Sequence, residues 1–179
     1  MKFATGLLAL TFASSVFAEP IPKEKRALSD YTDVFDGIEA QVGVVSTTVA
    51  EYVAGQASSD EVQTEGDELV DTICQGAQDI ATFDPLGTLD ALALIAPIEA
   101  LIDTVAALID DLIAAYSVFE GDGELEAVCA NLRAQKECTQ SLIDNILPKI
   151  PSALQDIAES LATRIITEID RGIAVFCPA

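Results

Sequence analysis

The chain contains no histidine and no tryptophan, and its single methionine is the initiator. Imidazole bases, imidazole metal ligands and every Ser/His or Cys/His nucleophilic pair are therefore excluded. Basic residues are scarce: 9 Lys plus Arg stand against 30 Asp plus Glu, a formal net charge of −21 on 179 residues. Phosphate backbones are bound by clustered cations that release counterions, so this balance excludes nucleic acid as a partner. It disfavours anionic membrane surfaces for the same reason. No Asn-x-Ser/Thr acceptor occurs, since Asn131 precedes Leu-Arg and Asn145 precedes Ile-Leu, so N-linked sugar is not expected. What the chain has in abundance is apolar: 50% of its residues are hydrophobic and the mean hydropathy is +0.37. A disordered acidic tail lacks the apolar surface that offsets ordering entropy, so one folded domain with a core is expected.

The first eighteen residues, MKFATGLLALTFASSVFA, have a lysine, an apolar run and the small-residue spacing of a signal peptidase site ending at Ala18. The run is shorter than the ~20 residues of a spanning helix. Residues 1–18 are expected to be a secretory signal peptide. Residues 19–26 read as a short propeptide ending in the dibasic pair Lys25 and Arg26, leaving a single domain over 27–179. Removing residues 1–26 takes away Lys2, Lys23, Lys25 and Arg26 with Glu19 and Glu24, so 5 basic and 28 acidic groups remain on 153 residues. Ala91–Tyr116 is apolar enough to suggest a membrane span but carries Glu99, Asp103, Asp110 and Asp111. Each costs roughly 2.5–3.5 kcal/mol at a bilayer centre, so no transmembrane anchor is expected. The ending AVFCPA shows no lipid-anchor signal. Free secretion is the expectation, with at most loose association with a cell wall.

Apolar residues recur at spacings of three and four throughout, and no sustained period of two occurs, so the fold class is all-α. Five helices are predicted: Asp30 to Ala54, Ser59 or Asp60 (as cap) to just before Asp84, Thr88 to about Phe119, an Asp122 cap to about Leu147, and Pro151 to Phe176. The third is apolar nearly all round, which places it among other helices. Pro97 inside it cannot donate to the Ala93 carbonyl, so a kink rather than a break is expected there. Short connections make successive helices antiparallel, and the segments are roughly 33–45 Å long. The product is an elongated up-down bundle with a proline-kinked central third helix.

Four cysteines in a secreted chain suggest two disulfides. Cys129 and Cys138 lie nine residues apart on one helix, about 13 Å along the axis, and cannot pair with each other. Counted from their helix starts, Cys74 is level with Cys138, and Cys177 falls nearer Cys129. The expected bridges are Cys74–Cys138 and Cys129–Cys177. The spacing is not that of a metal site and no histidine assists, so neither metal nor cofactor is expected.

The block TLDALALIAPIEALIDTVAALIDDLIA (Thr88–Ala114) resembles the central helix of the fungal hydrophobic surface-binding protein A family, which includes the antigenic cell-wall galactomannoproteins. The block IPSALQDIAESLATRIITEIDRGIAVF (Ile150–Phe176) resembles that family's last helix, and the likeness spans Asp30 to Phe176. The resemblance implies a secreted helical bundle that adsorbs to hydrophobic surfaces or encloses a lipid. Long-chain fatty acids are the ligands it implies, with a secreted hydrolase as a further partner recruited to the surface. This chain departs from the pattern in having four cysteines and no Ser/Thr-rich tail.

An inward seam of Val42, Val45, Val49, Ile73, Ile98, Leu101, Val105, Leu154, Ile157, Leu161 and Ile165 is core by default, and the family resemblance raises it to candidate ligand lining. Pro97 either opens a slot beside Ala93 for a lipid tail or marks a kinked core helix without a ligand. Gly43, Gly66, Gly76 and Gly172 inside helices either leave a cavity or permit close packing. Paired carboxylates such as Asp110 with Asp111 and Asp67 with Glu68 satisfy the residue types of a glycosidase but read as solvated faces. DGELE (Asp122–Glu126) lacks the calcium-loop pattern and reads as a helix cap. A non-enzymatic lipid or fatty-acid binder is the expected function, with a surface-active adaptor that retains no ligand as the alternative.

Overall fold

The computed structural model describes residues 23–177, with side chains from Leu28 onward. Ala18 lies outside the described residues, and Lys25 and Arg26 fall in the first turn of the first helix, where only the backbone is described. Among the described residues seven α-helices form: α1 (Lys23–Val53), α2 (Ser59–Thr82), α3 (Thr88–Ala93), α4 (Ile95–Ala114), α5 (Tyr116–Asp122), α6 (Leu125–Ile146) and α7 (Gln155–Phe176). Short 3₁₀ turns, Leu147–Lys149 and Ser152–Leu154, join α6 to α7.

Five helices were expected, and the third segment accounts for the difference. It divides into α3, α4 and α5 at Leu94 and Ala115. At Leu94 the cause is Pro97, which has no N–H for the Ala93 carbonyl. The chain nevertheless stays right-handed at Leu94 (φ −77°, ψ −16°), and Ile98 N donates to Leu94 O at 3.1 Å, so helical bonding resumes at once. Pro97 thus occupies the first turn of α4, where a helix leaves its N–H groups unpaired in any case. An interruption, not a kink within one helix, is the outcome.

The first helix is already formed at Lys23, seven residues before the expected Asp30. It ends at Gly55, whose φ of 71° permits Gln56 N to reach Glu51 O at 2.8 Å, a left-handed cap that favours glycine. Gly123 (φ 80°) closes α5 in the same way, with Glu124 N donating to Phe119 O at 2.8 Å. Asp122 therefore finishes α5 rather than capping α6, which starts after Glu124 without a side-chain cap. The cap of α2 is Ser58, one residue before the expected position. Its hydroxyl accepts from Glu61 N while the Glu61 carboxylate accepts from Ser58 N.

The five long helices close into a ring in the spatial order α1, α2, α6, α7, α4 and back to α1. Residue pairs fix the directions. Tyr31 meets Phe83 and Lys136 meets Asp170, so α1/α2 and α6/α7 are antiparallel. Gln63 with Glu124 and Asn145 with Ala77 make α2 and α6 parallel, and Thr104 with Glu39 and Ser46 with Asp111 do the same for α1 and α4. Arg164 with Glu99 and Arg171 with Asp110 make α4 and α7 parallel. Successive long helices alternate in direction, as the short connections require, yet α2 and α4 are not neighbours. A ring of five leaves an interior that two faces of a pair would not.

The two ends of that ring differ. At one end Tyr52, Tyr116, Phe119 and Phe176 stack with centroid separations of 5.0–6.0 Å, beside the Cys129–Cys177 bridge. Such packed rings each remove a large apolar area from water. The other end, where α4 and α7 begin and α6 finishes, carries Tyr31, Phe35 and Phe83 on its α1/α2 side and aliphatic side chains between α4, α6 and α7. Between 151 and 168 only Leu161 is fully buried. The second bridge, Cys74–Cys138, joins α2 to α6.

Candidate lipid-binding interior

An apolar cavity of about 70 Å³ lies at the aliphatic end, between the N-terminal halves of α4 and α7 and the C-terminal half of α6, with Phe35 of α1 behind. Ile98 and Leu101 come from α4, Leu142, Ile143 and Ile146 from α6, and Leu154, Ile157, Leu161 and Ile165 from α7 or the turn before it. Every lining residue is apolar except Thr139. A second cavity, of about 20 Å³, continues along the ring axis among Val42, Leu69, Ile73, Val105 and Ile169. The two share Leu101, Thr139, Leu142 and Ile165.

Of the eleven seam residues, Ile98, Leu101, Leu154, Ile157, Leu161 and Ile165 line the larger cavity. Val42, Ile73 and Val105 line the smaller one with Leu101 and Ile165. Val45 faces an open groove between α2 and α6, and Val49 is buried core that borders no cavity. Ala93 is exposed, and neither it nor Pro97 lines either cavity, so of the two readings of Pro97 these cavities do not support the slot beside Ala93. The seam reading passed over the α6 wall entirely.

Two polar side chains are buried among the described residues, Gln135 at 7% exposure and Thr139 at 3%, and both sit on this wall. A relay ties Gln135 to the surface. The Asn131 amide donates to Asp67 Oδ1 at 3.1 Å, and Gln135 Nε2 donates to Asn131 Oδ1 at 2.6 Å. Gly66 of α2 makes room for this relay, because a Cβ there would meet the Asn131 amide group at 3.0–3.1 Å.

Charge stays outside. The acidic stripe of α4 faces α7, where Arg164 lies 3.7 Å from Glu99 and 3.9 Å from Asp103, and Arg171 pairs with Asp110 and Glu168. Thr88–Ala114 is long and apolar enough to cross a membrane by length and composition, but here its inward face supplies Leu101, Val105, Leu108 and Leu112 to the core. A wider groove between α1 and α2 is open to solvent and lined by Asp30, Asp33, Asp71 and Asp79. No group of acidic or cysteine side chains among the described residues has metal-site geometry.

Residues 28–148 match the family described as hydrophobic surface binding protein A. The chain belongs to this family. It is 32% identical over 176 residues to cell wall mannoprotein 1 of Aspergillus flavus, a match covering 98% of this chain and 63% of that protein. Cell wall mannoprotein 1 of Aspergillus fumigatus is 31% identical, over 98% of this chain and 60% of that one. The chain thus spans about three fifths of the length of these relatives. Ligand-binding domain 2 of the Penicillium marneffei MP1 protein, solved with multiple arachidonic acids, shares 27% identity and a TM-score of 0.80 over 85% of this chain and 97% of that one. Afmp4p in complex with palmitic acid has the same fold, with a TM-score of 0.75 over 86% of this chain and 99% of that one, at 19% identity.

Within this hydrophobic surface binding family fold, the block from Thr88 to Ala114 lies inside the matched residues and forms α3 and α4, one wall of the cavity. The block from Ile150 to Phe176 forms the adjoining wall and lies beyond the residues that the family model matches, where the likeness to the cell wall mannoproteins and to the solved structures extends over it.

Proposed function

We propose that this chain is a secreted, non-enzymatic carrier whose apolar interior takes up a fatty acid or a lipid of similar shape, and which settles on hydrophobic surfaces. The observation that carries this reading is the ring interior itself, apolar on every wall but for Thr139 and Gln135. Relatives of the same fold hold arachidonic and palmitic acids. Pockets that enclose small molecules run to roughly 300–1,000 Å³, and the larger cavity measures about 70 Å³. Uptake therefore requires the thinly packed first half of α7 to move outward from α4 and α6. The bridges at Cys129–Cys177 and Cys74–Cys138 hold the opposite end and the α2/α6 seam during that movement.

A second reading, a surface-active adaptor that recruits a hydrolase and retains no ligand, draws on the exposure of Leu89 (82%), Leu92 and Ile157 at the aliphatic end. Native mass spectrometry of protein purified from culture, before and after solvent extraction, separates the two. The carrier reading expects an extractable mass of a few hundred daltons identified as a lipid. A clean mass equal to residues 27–179 less four hydrogens leaves the adaptor reading.

A further inference from the structure

We propose that Thr139 and Gln135 recognise the polar end of the bound lipid, and that they select a neutral head carrying an O–H donor over a carboxylate. The inference rests on the carrier reading and names the ligand class for its site.

Thr139 is the only polar residue lining the larger cavity, and it borders the smaller one as well. Other helical threonines, among them Thr64, Thr72, Thr104 and Thr163, turn their hydroxyls back to the carbonyl four residues earlier. No hydrogen bond engages the Thr139 hydroxyl among the described residues. No fully enclosed side-chain N or O there lacks a partner, so the unbonded Thr139 oxygen is one that faces the space it lines. A buried hydroxyl left without a partner costs free energy, which a ligand head recovers.

The orientation of Gln135 follows from the surface inward. The Asp67 carboxylate only accepts, so Asn131 must turn its NH₂ toward it and its oxygen toward Gln135. Gln135 must then give its NH₂ to that oxygen. What remains is the carbonyl branch, which accepts no hydrogen bond from any described residue. Gln135 lies between the smaller cavity beyond Thr139 and the open groove between α2 and α6, and lines both. Turned to the cavity side, its carbonyl gives the pair one acceptor and one hydroxyl. An alcohol or a protonated acid satisfies both, donating to Gln135 Oε1 and accepting from Thr139 Oγ1. A carboxylate meets an acceptor it repels.

No cation among the described side chains offsets that repulsion. Neither cavity is lined by a titratable side chain. Lys136 of α6 is held by Asp170, Arg164 by Glu99 and Asp103, and Arg171 by Asp110 and Glu168. Lys149 donates to the carbonyls of Ala81 and Phe83, and Arg133 is exposed. The charged group nearest the pair through the relay is Asp67, which is acidic. An ionised head in the interior would be an unpaired buried charge. The cavity lining toward α4 and α7 is apolar, so the head goes in first and the tail lies against that lining.

The test is displacement of a neutral polarity-sensitive dye by 1-dodecanol, dodecyl methyl ether and dodecanoate at neutral pH. The native chain should bind the alcohol about three- to tenfold more tightly than the ether, the range one neutral hydrogen bond supplies, with dodecanoate weakest. Gln135→Met should abolish the preference for alcohol over ether. Thr139→Val should weaken the alcohol by a similar factor and Thr139→Ser should restore it. A general loss of packing would lower all three ligands together and leave their ratios unchanged. Dodecanoate binding as tightly as the alcohol, or ratios unmoved in both variants, overturns the inference while leaving the carrier reading intact. Binding of none of the three overturns both.

Discussion

Tyr31 is buried where α1 meets the end of α2, and its hydroxyl donates to the Asp84 carbonyl at 3.2 Å. Burial, reinforced by the Asp84 charge, pushes its pKa up to about 12. Tyr52 reaches about 12 too, through burial first, then its hydrogen bond to Asp122 at 2.5 Å and the nearby charges of Asp122 and Glu124. Both groups hold their proton more firmly folded than unfolded, so above the ordinary tyrosine value near 10 the folded state binds more protons. Stability should fall as pH rises from about 10 to 12, and Tyr52→Phe should blunt that fall in denaturant titrations at each pH. Glycine supplies a second residue-scale contrast. A Cβ on Gly43 would meet nothing within 4 Å, so Gly43→Ala should stabilise the fold by about 0.5–1 kcal/mol through helix propensity. At Gly76 the same Cβ would lie 2.7 Å from Val34 Cγ1, on a stiff β-branched side chain, so Gly76→Ala should destabilise it by about 1–3 kcal/mol. Thermal or urea unfolding of the two variants gives the signs directly.

The same element, α7, is anchored at one end and loose at the other. Gly172 lies against Ile109 and Leu132, Ile169 and Phe176 are buried, and Cys177 is bonded to Cys129. From Gln155 to Glu168 only Leu161 is fully buried. Native-state hydrogen exchange should therefore be faster for amides of residues 158–165 than for 169–176. Replacing Cys129 and Cys177 together by alanine should cost about 2–4 kcal/mol and bring the two halves of α7 closer in exchange rate. Helical periodicity made the long elements legible, because apolar residues at three and four leave a signal that survives errors at the ends. The interruption at Leu94 was not legible as such, since a proline four residues after a carbonyl gives a kink or a register break depending on packing around it. Spatial order was legible at one seam, where the expected Cys74–Cys138 bridge sets α2 against α6, and hidden for the rest of the ring. That order decides which residues face the cavity, so the seam included Val49, which borders no cavity, and left out Leu142 and Ile146. Thr139 was passed over because a polar residue on a helix face normally marks solvent, although its place between Gln135 and Leu142 repeats the inward spacing of α6.

For the molecule as a whole, charge and apolar surface compete. Nearly all the carboxylates lie outside the ring, while Leu89, Leu92 and Ile157 are exposed at the aliphatic end. Adsorbed molecules repel one another through that charge, so coverage of an apolar surface should rise as pH falls toward ~4, where Asp and Glu take up protons. An adsorption isotherm that is flat between pH 4 and 7 would contradict it. The capping carboxylate of Glu61 sets a lower bound on the useful range, because hydrogen bonds from the Ser58 backbone and hydroxyl hold its pKa below the ordinary value. Its contribution is present above about pH 4.5 and is lost only as pH falls through its lowered value, so the α2 cap should outlast the rise in adsorption toward pH ~4.

The empty space along the ring axis bears on volume. Voids lined by leucine and isoleucine are too apolar to hold water well, and they vanish when the chain unfolds. Hydrostatic pressure favours whichever state occupies less volume. The unliganded bundle should therefore unfold at modest pressure, and a lipid seated between α4 and α7 should raise the pressure midpoint by filling the volume that unfolding would otherwise eliminate.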